Sequence, residues 1–194
     1  MDNETLLLHL PGSPGRADLV VRATALVLLA FWTAGFVRHG VDGEYVAGSF
    51  LHLVDIPFHE AGHVLLAPFG RFVMVLGGSL FQVVIPLLCG AALLFGTRDA
   101  FGAAITLWWS GQSLLDIAPY IADARALRLA LLGGRTGAEV EGHDWEYLLQ
   151  AIGWLHRDVT LGRQAFALGA VMMACALTWG ALVVWWNYRS VGER

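Results

Sequence analysis

The sequence carries little charge and contains no lysine. Of its 194 residues 14% are charged and 57% are hydrophobic, and all twelve basic side chains are arginine. Soluble proteins have about 25% charged residues, so this composition argues against a soluble domain. The mean hydropathy of +0.60 agrees, and we expect an integral membrane protein. The exclusive use of arginine, with abundant alanine and glycine, favours a bacterial inner (plasma) membrane.

Cysteine is also scarce. Cys89 and Cys175 lie in apolar segments without a C-x-x-C neighbour, so the sequence predicts neither a disulfide nor a thiolate metal ligand. The net charge is −4 and no basic cluster is present, which argues against a nucleic-acid partner. We therefore expect a single integral membrane domain over residues 1–194, with no appended soluble module.

Long apolar runs dominate the chain. Each is near the length of about 20 residues that crosses the hydrocarbon core. They cover residues 19–37, 51–69, 72–96, 100–121 and 165–188. We predict an all-α fold, a polytopic membrane helix bundle of about five transmembrane helices. The first run is too long for the core of a cleaved signal peptide, so we expect a retained anchor.

The placement of arginine predicts the orientation. Eight arginines flank the first run or fall in the second and fourth loops, and four fall on the other side. The positive-inside rule then puts the N-terminus in the cytoplasm. The fourth loop, residues 122–164, is the longest polar region, and in it Asp144 is a candidate N-cap for a short amphipathic helix at the inner membrane surface. The apolar face of that helix would comprise Leu148, Leu149, Ile152 and Leu155.

The motif HEAGH lies inside the second apolar run, from His59 to His63. Residues four apart on a helix differ by roughly 40° in direction, so the two imidazoles can share one Zn²⁺. Glu60 lies about 100° round from His59, beside the ion. There it can act as a general base toward water and hand the proton to a leaving amine. Ionisable groups at bilayer depth are costly and usually functional, which favours a metal site over a chance pattern.

Catalytic zinc usually has three protein ligands and one open position. Asp116 is the first candidate for the third ligand, because its run is parallel to the motif helix and brings a carboxylate to comparable depth. The alternative for Asp116 is a structural role before Pro119. His143 and Asp144 in the fourth loop compete for the ligand role, although loop residues of these types are more often solvated.

Further polar side chains accompany the motif. His52 and Asp55 share one helical stripe with the two imidazoles. Asp55 could orient a ligating imidazole or cap a helix that has Pro57 in its first turn. We expect His52 near the outer water boundary. Gln82 and Gln112 could bind substrate or form polar contacts between helices.

The pattern resembles the site-2 protease family of intramembrane zinc metalloproteases. The resemblance rests on HEAGH, on the segment Gly77-Gly78-Ser79-Leu80-Phe81-Gln82 that opens the next run, and on Leu115-Asp116, and it covers roughly residues 50–121. It implies a three-helix metalloprotease-like core in which His59, His63 and Asp116 bind zinc and Glu60 activates water. The implied substrate is a transmembrane segment of another protein. The glycines of the segment also favour irregular or re-entrant backbone.

The leading hypothesis is therefore a zinc endopeptidase that cleaves a peptide bond in or near the bilayer. One alternative is a proteolytically inactive membrane binding or assembly protein, although a structural zinc site has no need of a base such as Glu60. Another is metal transport, suggested by the stripe from His52 to His63. The expected partners are the lipid bilayer and a transmembrane substrate, and a regulatory membrane partner or a homo-oligomer stays open.

Overall fold

The computed structural model describes residues 6–12 and 14–192. Within these residues the chain forms seven α-helices, which are α1 (Arg16–His39), α2 (Gly43–Ala47), α3 (Phe50–Leu66), α4 (Arg71–Ala91), α5 (Ala100–Ala122), α6 (Asp144–Ala151) and α7 (Asp158–Gly192). A π-helical turn, Ala92–Thr97, extends α4. The described residues contain no strand, so the predicted all-α class is confirmed.

Three helical runs of the described chain are long and apolar enough to cross a membrane. They are Arg16–His39, Arg71–Thr97 and Leu155–Val191. This finding is consistent with a membrane protein. α3 has 17 residues, and α5 buries four polar side chains, namely Ser110, Gln112, Ser113 and Asp116. The second and fourth of the five predicted spans, which correspond to α3 and α5, are thus not among these three runs, and the number five stays a prediction.

The start and end of α3 have clear local causes. The Ser49 hydroxyl accepts a hydrogen bond from the Leu51 N–H at 3.3 Å, so Ser49 is the N-cap. The predicted alternative of Asp55 as N-cap is therefore wrong, because the helix already begins at Phe50. Gly70 has a φ of +93°, which suits glycine, and it turns the chain directly into α4.

α4 passes through the glycine-rich segment without a break. The expectation of irregular backbone there is wrong, because Arg71–Ala91 is one helix. The glycines serve close packing instead. A Cβ added to Gly62 would overlap the Gly77 carbonyl oxygen, and a Cβ added to Gly77 would lie 2.5 Å from the Gly62 carbonyl oxygen. α3 and α4 therefore cross backbone against backbone.

The chain divides into two compact units. Unit 1 comprises the described residues up to Arg38, with Ile85–Gln112 and the residues from Ala170 onward. Its core contains Leu10, Leu19, Ala100, Phe101 and Val183. Unit 2 comprises His39–Val84 and Ser113–Gly169. The motif helix, the first half of α4, the end of α5 and all of α6 belong to unit 2, so the candidate site lies within one unit.

The predicted loop helix exists as α6, with a different cap. His143 precedes it, and the Nδ1 of this residue accepts a hydrogen bond from the Glu146 N–H at 3.2 Å. Leu148 and Leu149 are buried as predicted, whereas Ile152 is exposed. The first residues of α6, Asp144 and Trp145, also form hydrogen bonds with α5 and α4. Its position at the membrane surface stays a prediction.

Candidate metal centre

Three ligand-type atoms converge in unit 2. The Oδ2 atom of Asp144 lies 3.0 Å from the Nε2 of His59 and 3.2 Å from the Nε2 of His63. The two imidazole rings, one helical turn apart on α3, have centroids 4.8 Å apart. Glu60 belongs to the same group, since ligand atoms of His59, Glu60 and His63 all lie within 4.8 Å of one another. The prediction that the motif side chains cluster is confirmed.

The Nδ1 atom of His63, on the side of the ring away from Asp144, has a fixed hydrogen-bond partner. It lies 2.9 Å from the carbonyl oxygen of Met74 on α4. A carbonyl oxygen only accepts, so Nδ1 must be the donor. In the neutral ring the lone pair is then on Nε2, which faces Asp144.

The back of the His59 ring is fixed through an amide. The Nδ1 of His59 lies 3.1 Å from the Oε1 of Gln82, and the Nε2 of Gln82 donates to the Oδ2 of Asp116 at 2.7 Å. Because the Asp116 carboxylate accepts, the amide nitrogen must point toward it and the amide oxygen toward His59. Nδ1 of His59 is therefore also a donor, and in the neutral ring the Nε2 lone pair faces Asp144.

These atoms suit a divalent cation. A zinc tetrahedron with bonds of about 2.0–2.1 Å has edges of roughly 3.3 Å between ligand atoms. The two observed edges, 3.0 and 3.2 Å, lie just below that length. Two nitrogen lone pairs and a carboxylate oxygen are also a donor set that zinc prefers.

Gly78 completes the surroundings of the imidazole pair. A Cβ added to Gly78 would lie 2.5 Å from the Nε2 of His59 and 2.6 Å from the Nε2 of His63. A methyl group there would lie against both nitrogens, in the space in front of the two atoms that would share an ion, so glycine leaves that space open. The residues present therefore fit zinc.

Asp116 takes a different place from the one that the sequence predicts for it. Its carboxylate is 6% exposed, and the Nδ1 of His52 lies 3.0 and 3.1 Å from its two oxygens. Gln82 stands between Asp116 and His59. The carboxylate that meets the imidazole pair is that of Asp144, one of the two competing loop residues, while His143 caps α6. A direct ligand role for Asp116 stays a prediction that these contacts do not favour.

The remaining predicted residues, Asp55, Gln82 and Gln112, differ in their surroundings. Asp55 is fully buried, and one of its carboxylate oxygens accepts a hydrogen bond from the Ser113 hydroxyl at 3.4 Å. Gln82 links His59, a candidate ligand, to Asp116. Its amide therefore orients the His59 ring in addition to joining two helices. Gln112 is buried in unit 1, and its amide has no hydrogen-bond partner among the described residues.

Two residues that the sequence analysis did not single out hold Asp144 in place. The Tyr120 hydroxyl accepts a hydrogen bond from the backbone N–H of Asp144 at 2.9 Å. The indole Nε1 of Trp145 donates to the Ser79 hydroxyl on α4 at 3.0 Å. Tyr120 is four residues after Asp116 on α5, so its place on the same helical face was a usable signal. Trp145 gave no such signal.

The electrostatics of the α6 cap agree with its hydrogen bonds. Burial lowers the pKa of His143 below its ordinary value, although the nearby Asp123 carboxylate opposes this shift. A neutral His143 has a free Nδ1 lone pair to accept from the Glu146 N–H. His143 therefore begins α6 and thereby positions its neighbour Asp144.

Fold and site together define a class of protein. It is a helical protein with helices long and apolar enough to cross a membrane, and it carries a candidate metal centre made of two histidines and a carboxylate. No family model, curated protein or solved structure matches the chain.

Proposed function

We propose that the chain is an intramembrane zinc metalloprotease that hydrolyses a peptide bond in or near a transmembrane segment of a substrate protein. The observation that carries the proposal is the meeting of His59, His63 and a carboxylate, with Glu60 beside them. The three helical runs that are long and apolar enough to cross a membrane support an active site at the bilayer. The resemblance of the HEAGH segment to site-2 proteases supports a peptide substrate.

Each residue has a defined task in this proposal. His59 and His63 would hold the ion through Nε2, with a carboxylate as the third ligand. Bound zinc supplies Lewis acidity, which lowers the pKa of water to about 7 and polarises a carbonyl. Glu60 accepts the proton that the attacking water loses. It returns this proton to the amide nitrogen as the C–N bond breaks, so the products are a carboxylic acid and an amine.

The accessibility of the site is compatible with a macromolecular substrate. The side chains of His59 and His63 are 14% and 21% exposed, and Glu60 is exposed. The base is therefore not enclosed by the protein, and in this proposal a peptide and water reach it from its exposed side. A helical substrate must unwind there, because its peptide carbonyl is otherwise hydrogen-bonded within the helix.

The decisive experiment pairs two variants of the purified full chain in detergent or nanodiscs. Glu60→Gln should keep about one zinc per chain by elemental analysis yet lose cleavage of a model transmembrane substrate by roughly 100-fold or more. His59→Ala should lose both zinc and cleavage. Glu44→Gln and His156→Ala change exposed residues of the same types outside the site and should keep both.

Three outcomes would contradict parts of this proposal. Cleavage that survives in Glu60→Gln would remove the general-base assignment. Zinc that survives in His59→Ala would remove the ligand assignment. A wild-type chain that binds zinc but cleaves no membrane segment would leave the binding or assembly alternative in its place.

A further inference from the structure

We propose that Asp144 is the third metal ligand, delivered by α6, and that Asp116 is a positioning residue that acts on His59 through Gln82. This inference rests on the zinc site of the proposed function. It assigns the ligand set His59, His63 and Asp144. It also moves Asp116 away from the ion and gives it a separate task.

The first argument is that hydrogen-bond acceptors face one another where the two imidazoles contact Asp144. His59 and His63 both donate from Nδ1, to Gln82 and to the Met74 carbonyl. Each neutral ring therefore presents an Nε2 lone pair to the same carboxylate oxygen of Asp144. In this neutral form each Nε2 faces another acceptor, the Oδ2 atom of Asp144, at 3.0 and 3.2 Å, and such contacts are unfavourable unless a positive charge joins them. A proton on one ring would satisfy one of the two contacts, whereas a single divalent ion satisfies both.

The second argument is that the carboxylate of Asp116 is already engaged. It receives the Gln82 amide at 2.7 Å and the His52 imidazole at 3.0 Å, and it is almost fully buried. The Gln82 amide spans the gap between Asp116 and the back of the His59 ring. Asp116 thus fixes the orientation of the amide, and the amide fixes which nitrogen of His59 carries the proton. Such outer partners orient metal-binding imidazoles and raise their basicity.

The third argument is the way in which Asp144 is anchored. Its backbone N–H donates to Tyr120 on α5, and the next residue, Trp145, donates to Ser79 on α4. The preceding residue, His143, caps the same helix. Two of these contacts therefore fix the start of α6 against helices of unit 2, and the third caps α6 itself. A carboxylate that merely belonged to a solvated loop would not need this support.

Cysteine substitution with Co²⁺ gives a direct test of contact with the metal. A thiolate bound to Co²⁺ produces a ligand-to-metal charge-transfer band in the near ultraviolet, because sulfur donates electron density to the ion. Asp144→Cys should show this band on loading with Co²⁺, and Asp116→Cys should not. The wild-type chain is the matched control, because its two cysteines both lie in unit 1.

Zinc affinity, measured by competition with a chromophoric chelator, provides the second readout. Asp144→Ala should lower the affinity by more than roughly 100-fold, beyond the 10–100-fold typical of outer partners. Asp116→Asn should lower it by about 10-fold and leave the visible Co²⁺ spectrum unchanged, since no ligand is lost. Trp145→Phe, which keeps an aromatic side chain and removes the indole donor, should weaken zinc binding without abolishing it. Circular dichroism and gel filtration of each variant establish that it is folded.

The outcomes separate this inference from the proposed function. A charge-transfer band in Asp116→Cys and not in Asp144→Cys would overturn the inference and leave the zinc protease standing. Asp144→Ala that is folded and binds zinc as the wild type does would overturn it as well. A wild-type chain with Asp144 on the metal but without proteolysis would overturn the proposed function alone. A folded wild-type chain that binds neither Zn²⁺ nor Co²⁺ would overturn both.

Discussion

At the scale of single residues, the absence of a side chain matters as much as the ligands. Gly78 faces both Nε2 atoms from α4, and a Cβ there would come within 2.6 Å of each. Glycine at this position is therefore explained by access to the imidazole nitrogens rather than by backbone flexibility, because α4 is regular around it.

Gly78→Ala should abolish metal binding without unfolding the chain. Alanine is favoured over glycine in a helix by about 1 kcal/mol, so the helix itself gains stability, while the added methyl group blocks both nitrogens. Zinc affinity by chelator competition should fall by roughly 100-fold or more. Gly96→Ala is the control, because a Cβ there meets no atom within 4 Å. Wild-type affinity in Gly78→Ala would show that the two nitrogens do not share an ion.

Glu139 in the fourth loop gives a second prediction at this scale. The backbone N–H and the hydroxyl of Thr136 donate to one of its carboxylate oxygens at 2.9 and 3.1 Å. These hydrogen bonds, the backbone one first, lower the pKa of Glu139 below its ordinary value. The loop is therefore stabilised by the ionised form at and above the ordinary carboxyl pKa. That stabilisation is lost as the pH falls through the lowered value.

Thr136→Val should raise the pKa of Glu139 part of the way to its ordinary value. Only the hydroxyl donor is lost, and the backbone N–H remains. The measurement is a carboxyl ¹³C NMR titration of the chain in detergent, with Thr160→Val in α7 as a control away from Glu139. An unchanged titration in Thr136→Val would mean that the hydroxyl does not contact the carboxylate in solution.

The three motif residues were predictable and the third carboxylate was not. His59, Glu60 and His63 lie within one helical turn, so their relation follows from helix geometry alone. Asp144 is 85 residues away from His59. Its arrival depends on a loop that folds back, and no local pattern encodes that path. The sequence placed Asp144 among the candidates only because carboxylates bind metals.

At the scale of elements, the crossing of α3 and α4 controls the site. The helices meet at Gly62 and Gly77, backbone against backbone. The same crossing brings the Met74 carbonyl to the back of His63 and Gly78 to the front of both imidazoles. A wider spacing between the helices would break these contacts together.

Gly62→Ala should destabilise the fold by roughly 1–3 kcal/mol, the usual cost of overpacking. The gain in helix propensity, about 1 kcal/mol, does not offset it fully, because the methyl group meets backbone atoms that cannot rotate away. Chemical unfolding in mixed micelles, followed by circular dichroism, measures the change. Gly96→Ala again supplies the matched substitution in open space. Equal or greater stability of Gly62→Ala would show that the close crossing is absent in the membrane.

At the scale of the whole molecule, the number of membrane crossings is the main prediction to test. Five spans with a cytoplasmic N-terminus put the turn at Thr97 outside the cell and the loop at Leu132 inside. If only the three most apolar runs cross, Thr97 lies inside as well. The two arrangements therefore place the exposed Thr97 on opposite sides of the membrane.

Single-cysteine labelling distinguishes the two arrangements. In a Cys89→Ala, Cys175→Ala background, Thr97→Cys should react with a membrane-impermeant maleimide in intact cells or spheroplasts. Leu132→Cys, also at an exposed position, should react only after the membrane is opened. Protection of Thr97→Cys in intact spheroplasts would contradict five spans.

The sequence by itself determined the helical class, the apolar character and the grouping of His59, Glu60 and His63, because all three depend on composition or on neighbours within one turn. It also located α6 through its apolar spacing. Only the tertiary structure decided which carboxylate meets the imidazoles and what Gly62, Gly77 and Gly78 do, because these depend on how close separate helices approach. Distances between segments far apart in sequence are set by packing, and no periodicity along the chain records them.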